Sequence, residues 1–195
     1  MKRIVSLILA FSMCVAALAQ EEHMTFKNIP ITGSMSSFIS KMKAAGFTLQ
    51  KQEARGAIMT GPFAGFSDCQ ILIGCSPKTQ TVWKVTAYLP DQTSWSSVES
   101  RYKDFKKRYT DKYGTPDDSY EFFTDSYYDG DGYELQAIKL EKGYYVTYWK
   151  TALGIIAVEV GASSNSKGWV ELGYEDKAGT AIMDKERSAI VDDDI

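Results

Sequence analysis

Between Ser34 and Ala45 the apolar residues Met35, Phe38, Ile39 and Met42 fall on one helical face, with Ser34 available to cap the start and Gly46 standing where the helix should stop. The period then changes to two. The segments 47–53, 57–63, 68–75 and 82–89 alternate apolar with polar residues and are separated by Gly, Ser, Pro and Lys; in the last, Trp83, Val85, Ala87 and Leu89 share a face opposite Lys84 and Thr86. This predicts a helix followed by a four-strand antiparallel meander.

The same order returns. Residues Ser94 to Tyr113 carry Trp95, Val98, Tyr102, Phe105, Tyr109 and Tyr113 on one stripe, offer Ser96 with Glu99 as a capping box, and end at Gly114 with Pro116 beyond. Strand-like segments follow at 119–124, 133–141, 144–150, 155–161 and 169–175, separated by turns at 129–132, 142–143, 153–154 and 163–168. Ile182, Met183, Ala189 and Ile190 are spaced for a short terminal helix within 180–195, and 191–195 reads as a solvated tail. The predicted class is α+β: two tandem helix-plus-antiparallel-meander repeats, at 20–90 and 91–178, joined through Pro90–Asp91 and followed by a tail or short helix at 179–195.

The first nineteen residues pattern differently. Lys2 and Arg3 precede the apolar run Ile4 to Ala10, and Ala17-Leu18-Ala19 forms a small-x-small site before Gln20, which predicts a secretory signal over 1–19 and a periplasmic or secreted mature chain. A buried N-terminal helix and a lipid anchor on Cys14 are the alternatives. Cleavage would leave 176 of 195 residues, with 20 basic against 25 acidic side chains once Lys2 and Arg3 are removed. That balance disfavours nucleic acid as a partner, and no later segment approaches the apolar length of a membrane span. Cys69 and Cys75 share one face of a predicted strand at a separation of about 20 Å, which favours two buried free thiols over a bridge formed by bending at Gly74.

Phe26-Lys27-Asn28-Ile29-Pro30-Ile31, Ala45-Gly46-Phe47, Phe63-Ala64-Gly65-Phe66 and Lys112-Tyr113-Gly114-Thr115-Pro116 resemble a group of secreted bacterial proteins with no assigned biochemical role. The doubled helix-and-meander order is similar to the tandem fold of the beta-lactamase inhibitor protein, and to the half-length fold of outer-membrane assembly lipoproteins of the SmpA/OmlA type. These motifs are turns and caps, so the resemblance implies a fold and carries no activity. The structural cysteine pairs of the inhibitors have no counterpart here, and beta-lactamase inhibition is not carried over.

Catalytic constellations are missing from the sequence. His23 is the single histidine and falls near the expected mature terminus. Ser40-Lys41-Met42-Lys43 has S-x-x-K spacing on a helix face turned away from the apolar stripe, and lacks the S-D-N and K-T-G partners. Asp125, Asp129, Asp131 and Glu134 cluster around two glycines, but calcium-loop alignment puts Tyr127 and Ile138 where carboxylates are needed. Arg101, Lys103, Lys106, Lys107, Arg108 and Lys112 make a basic face on the second helix that reads as solvated. Phe63, Phe66, Tyr127, Tyr128 and Tyr133 sit in or beside turns, where aromatics anchor interfaces or fold down as plugs. The expectation is a noncatalytic binding or envelope-assembly module with no metal or cofactor, its partner an envelope or extracellular protein contacted through those five aromatics. A small-ligand or lipid carrier with a cavity between helix and sheet is the alternative, and a hydrolase using the four carboxylates a third reading.

Overall fold

Residues 22–194 are described in the structure, a computed structural model, so the predicted signal at 1–19 lies outside the described residues. The chain enters through strands β1 (Thr25–Phe26) and β2 (Ile29–Pro30), paired around Lys27 and Asn28, both of which take positive φ. This hairpin delivers Phe26 and Ile31 to full burial. Helix α1 (Met35–Ala44) follows, capped as expected by Ser34, whose Oγ accepts from the Ser37 N–H at 3.3 Å. The meander β3 (Thr48–Glu53), β4 (Gly56–Phe63), β5 (Phe66–Cys75) and β6 (Val82–Tyr88) keeps the predicted alternation, with Met59, Ile71, Ile73 and Val85 buried.

Helix α2 (Trp95–Tyr113) starts two residues earlier than its capping box suggests. Ser94 is the N-cap, accepting from Ser97 N, while Glu99 is engaged by Lys103 at 2.6 Å. Strand β7 (Asp118–Phe123) follows as predicted, but 134–139 form helix α3 (Glu134–Lys139) rather than a strand. Leu135 and Ile138, three apart, point into the sheet over glycines: a Cβ on Gly168 would sit 2.6 Å from Leu135, and one on Gly143 3.1 Å from Ile138. Strands β8 (Gly143–Thr151), β9 (Gly154–Ser164) and β10 (Lys167–Asp176) complete the second meander.

The chain ends in helix α4 (Lys177–Asp194), which begins before residue 180 and takes in residues expected to be a solvated tail. Two carboxylates explain its length. Asp176 Oδ2 accepts from Gly179 N at 2.9 Å in the manner of an N-cap, and Glu186 fastens the helix to the β5–β6 turn by accepting from Lys78 N at 2.6 Å and Thr79 Oγ1 at 2.5 Å. Burial opposes ionisation of Glu186, but the donors from Thr79, Lys78 and Ser76 prevail and hold its carboxyl down to about 2. Its contribution to docking is therefore complete above the ordinary carboxylate value of 4.5 and is lost as pH falls toward 2.

All eight strands of the two meanders form one antiparallel sheet in the order β3-β4-β5-β6-β10-β9-β8-β7. The halves meet at the centre, where β6 pairs with β10 from Tyr88↔Glu171 to Lys84↔Glu175. Helix α1 packs by β3, α2 crosses β8, β9 and β10, and α3 covers β8 and β9. The layer between helices and sheet is filled by Phe26, Phe38, Met42, Tyr102, Phe105, Trp149 and their neighbours. Cys69 and Cys75 are buried, free thiols, and the bend needed to bridge them is not made. Among the described residues no helix is long and apolar enough to cross a membrane.

Candidate functional site

The five turn aromatics divide into packed and displayed residues. Phe63, in the last position of β4, stacks on Phe26 with ring centroids 4.6 Å apart, and Phe66 is half-buried beneath the Arg101 guanidinium at 4.8 Å. Tyr127 is half-buried, its hydroxyl accepting from Gln136 Nε2 at 3.3 Å. Tyr128 and Tyr133 are exposed, 68% and 56%. The acidic cluster around them holds its own turn: Asp131 accepts from Tyr128 N and Tyr133 N, and the buried Glu134 accepts from Gly130 N at 2.9 Å. The basic face of α2 is taken up similarly, with Lys103 on Glu99, Lys107 on Asp111, Arg108 on Asp104, Lys106 on Glu121 and Arg101 on the Pro90 carbonyl. Among the described residues no three His, Cys, Asp or Glu side chains converge as metal ligands.

The most distinctive surface is the face of the sheet opposite the helices. Alternation along each strand sends every second side chain there, and Leu72, Tyr120, Phe122, Tyr144 and Ile155 remain 37–46% exposed on it. The face is concave. Lys84 on β6 and Asp118 on β7 lie four strands apart in the sheet, about 19 Å if it were flat, yet they line one cavity of about 320 Å³. Its floor is made by small residues, Thr86, Gly173 and Ala157, and its walls by Tyr148, Ile155, Lys150 and three glutamates. Thr86 is only 4% exposed although no helix residue lines the cavity.

Two of the glutamates are unusual. Glu159 on β9 and Glu171 on β10 are directly opposed partners in the ladder, and Tyr88 on β6 is the next partner of Glu171. Like charges facing each other across a pair of strands destabilise the sheet. The cations nearby are already engaged, Lys84 with Glu175 at 2.7 Å and Lys150 with Asp118 at 3.4 Å. Burial, and then the charge of Glu171, push the Glu159 carboxyl up to about 6 against a smaller opposing effect of Lys84. Burial also raises Glu171, countered by the Trp169 indole N–H that donates to its Oε2 at 3.1 Å and by Lys84. Tyr88 is pushed up to about 12 by burial and then by the two glutamates, and Tyr148 is raised for the same reasons.

This arrangement has a stability signature. Because the Glu159 value lies above its ordinary 4.5, the folded state binds the extra proton, so its cost is absent below 4.5, grows to about 6 and is constant beyond. After allowance for solvent screening, Glu159→Gln should stabilise the protein by about 1 kcal/mol above about pH 6.5 and leave it unchanged below about pH 4.5. Urea unfolding at the two pH values checks this; a variant less stable at the higher pH would show that the carboxylate is compensated.

Sequence reasoning missed this site. Glu159 and Glu171 interrupt apolar runs, Ile155-Ile156-Ala157-Val158 and Trp169-Val170, which is a usable signal, but alternation alone assigns both to a solvated face. Fold and site define an α+β protein with an open, concave, eight-stranded antiparallel sheet. Comparison of the chain with protein-family models, curated proteins and solved structures returns no match.

Proposed function

We propose that the chain is a noncatalytic protein-binding module of the cell envelope or extracellular space, and that the concave sheet face is its contact surface. One observation carries the reading: this face combines exposed Leu72, Tyr120, Phe122 and Tyr144 with two half-buried glutamates whose repulsion Lys84 and the Trp169 indole relieve only in part. Folding alone would favour neutral residues there, and positions that cost stability without structural return are characteristic of function. The two helix-plus-meander halves are read as a tandem of one α+β unit in the manner of the beta-lactamase-inhibitor-like proteins, with the cavity over the second meander and its edge at β6, where the units meet. Residues 1–19 are read as the export signal that brings the module to its partner.

A photoreactive residue placed singly at Leu72, Tyr120 or Phe122, in the full chain expressed in its own cells, tests the reading. Discrete adducts are expected from these positions and not from Ser100 or Lys107 on the outer side of α2. Adducts arising only from α2, only from Tyr128 or Tyr133, or from no position would overturn the sheet face as the contact surface.

A further inference from the structure

The cavity in the concave face has the chemistry of a receptor for one planar cation. We propose that it seats the guanidinium of an arginine presented by the partner protein, held between the carboxylates of Glu159 and Glu171 and against the ring of Tyr148. This rests on the reading of the sheet face as the contact surface.

Charge decides the sign of the occupant. The charged groups facing the cavity are Lys84 from β6, Lys150 from β8, Asp118 from β7, Glu159 from β9, and Glu171 and Glu175 from β10. Lys84 and Lys150 are matched by Glu175 and Asp118, which leaves Glu159 and Glu171 unmatched and an excess of two negative charges. Tyr88, beside Glu171 in the ladder, and Tyr148 are both held protonated and add no charge near neutrality. No acidic group of a partner would enter such a cavity, and an apolar one would bury the carboxylates further.

Shape and hydration decide which cation. Opposed residues on antiparallel strands stand about 5 Å apart at Cα, so the two carboxylates present several acceptor oxygens side by side, which the five coplanar donors of a guanidinium fill more completely than the three of an ammonium. The cavity floor is small-residue backbone, and a Cβ added to Gly173 would still lie 3.6 Å from Ala157, so depth is available for a flat group and its stem. Guanidinium is also the more weakly hydrated cation and stacks on aromatic rings, which suits a partly dry site walled by Tyr148 and Ile155. Burial and then the facing Glu171 hold the Glu159 carboxyl at about 6; a bound cation favours the ionised form, so binding weakens as pH falls through 6.

The probe is butylguanidinium titrated into isotope-labelled mature protein, read from the Trp169 indole N–H, which already touches Glu171. A saturable shift is expected at about pH 7.5, absent with neutral butylurea, weaker with butylammonium, and reduced about tenfold or more in affinity at about pH 5 and in the E159Q/E171Q variant. That variant should fold well, since it removes a repulsive pair, and a dispersed amide spectrum verifies it. Equal response to butylurea, tighter binding of butylammonium, or unaltered binding in folded E159Q/E171Q overturns the proposal. If cross-links still form at Leu72 and Tyr120 in that case, only the guanidinium receptor fails and the contact surface stands. Guanidinium binding with cross-links confined to α2 gives the reverse.

Discussion

Replacing Asp176 with alanine should cost the folded protein about 3–5 kcal/mol, read as a drop in the urea midpoint with an unchanged slope. Asp176 is completely buried at the end of β10. Its Oδ1 accepts from Met24 N at 2.7 Å, and its Oδ2 accepts from Gly179 N at 2.9 Å and lies 3.0 Å from His23 Nδ1. One side chain thus ties the entering strand, the last strand of the sheet and the start of α4. Alanine would strand two backbone N–H groups away from water, each costing about 1–3 kcal/mol, besides removing the His23 contact. Asn keeps one acceptor oxygen and should cost about half as much. A loss under about 1 kcal/mol for Asp176→Ala would show that solvent reaches these groups and that the knot is not structural.

Trp149→Ala is expected to cost about 3–5 kcal/mol by leaving a cavity under α2. Trp149 lies on β8, is 1% exposed and is among the largest fully buried side chains. Its ring packs 5.7 Å from that of Tyr109, and its indole N–H donates to the Gly114 carbonyl at 3.0 Å, where α2 ends. The residue therefore fixes both the depth of the helix over the sheet and the point at which the chain leaves it. Trp149→Phe preserves most of the ring packing and loses the hydrogen bond, so its cost should be about 1–2 kcal/mol. Equal costs for the two variants would place the energy in the hydrogen bond rather than in packing.

Legibility in the sequence followed the range of the interactions involved. The α2 stripe was readable because Val98, Tyr102 and Phe105 recur at helical spacing and meet one layer of core. Residues 133–141 were not, since Leu135 and Ala137 satisfy a strand period while Leu135 and Ile138 satisfy a helical one over so short a run. Packing over Gly143 and Gly168 made the choice. His23 looked like a loose terminal residue because its partner is 153 positions away. The turn aromatics were correctly placed beside turns, yet whether each is displayed depends on distant residues such as Phe26 under Phe63 and Arg101 over Phe66.

Taken alone, the order of residues determined the local elements: α1, α2 and all eight strands of the large sheet. Caps, turns and hydrophobic period are interactions within a few residues, so they are written where they act. Tertiary structure decided that β6 pairs with β10, that the resulting sheet curls, and that Glu159 and Glu171 share a partly dry cavity instead of open solvent. Those outcomes depend on joining segments more than eighty positions apart, and on the loss of water from carboxylates that the linear pattern marks only as polar.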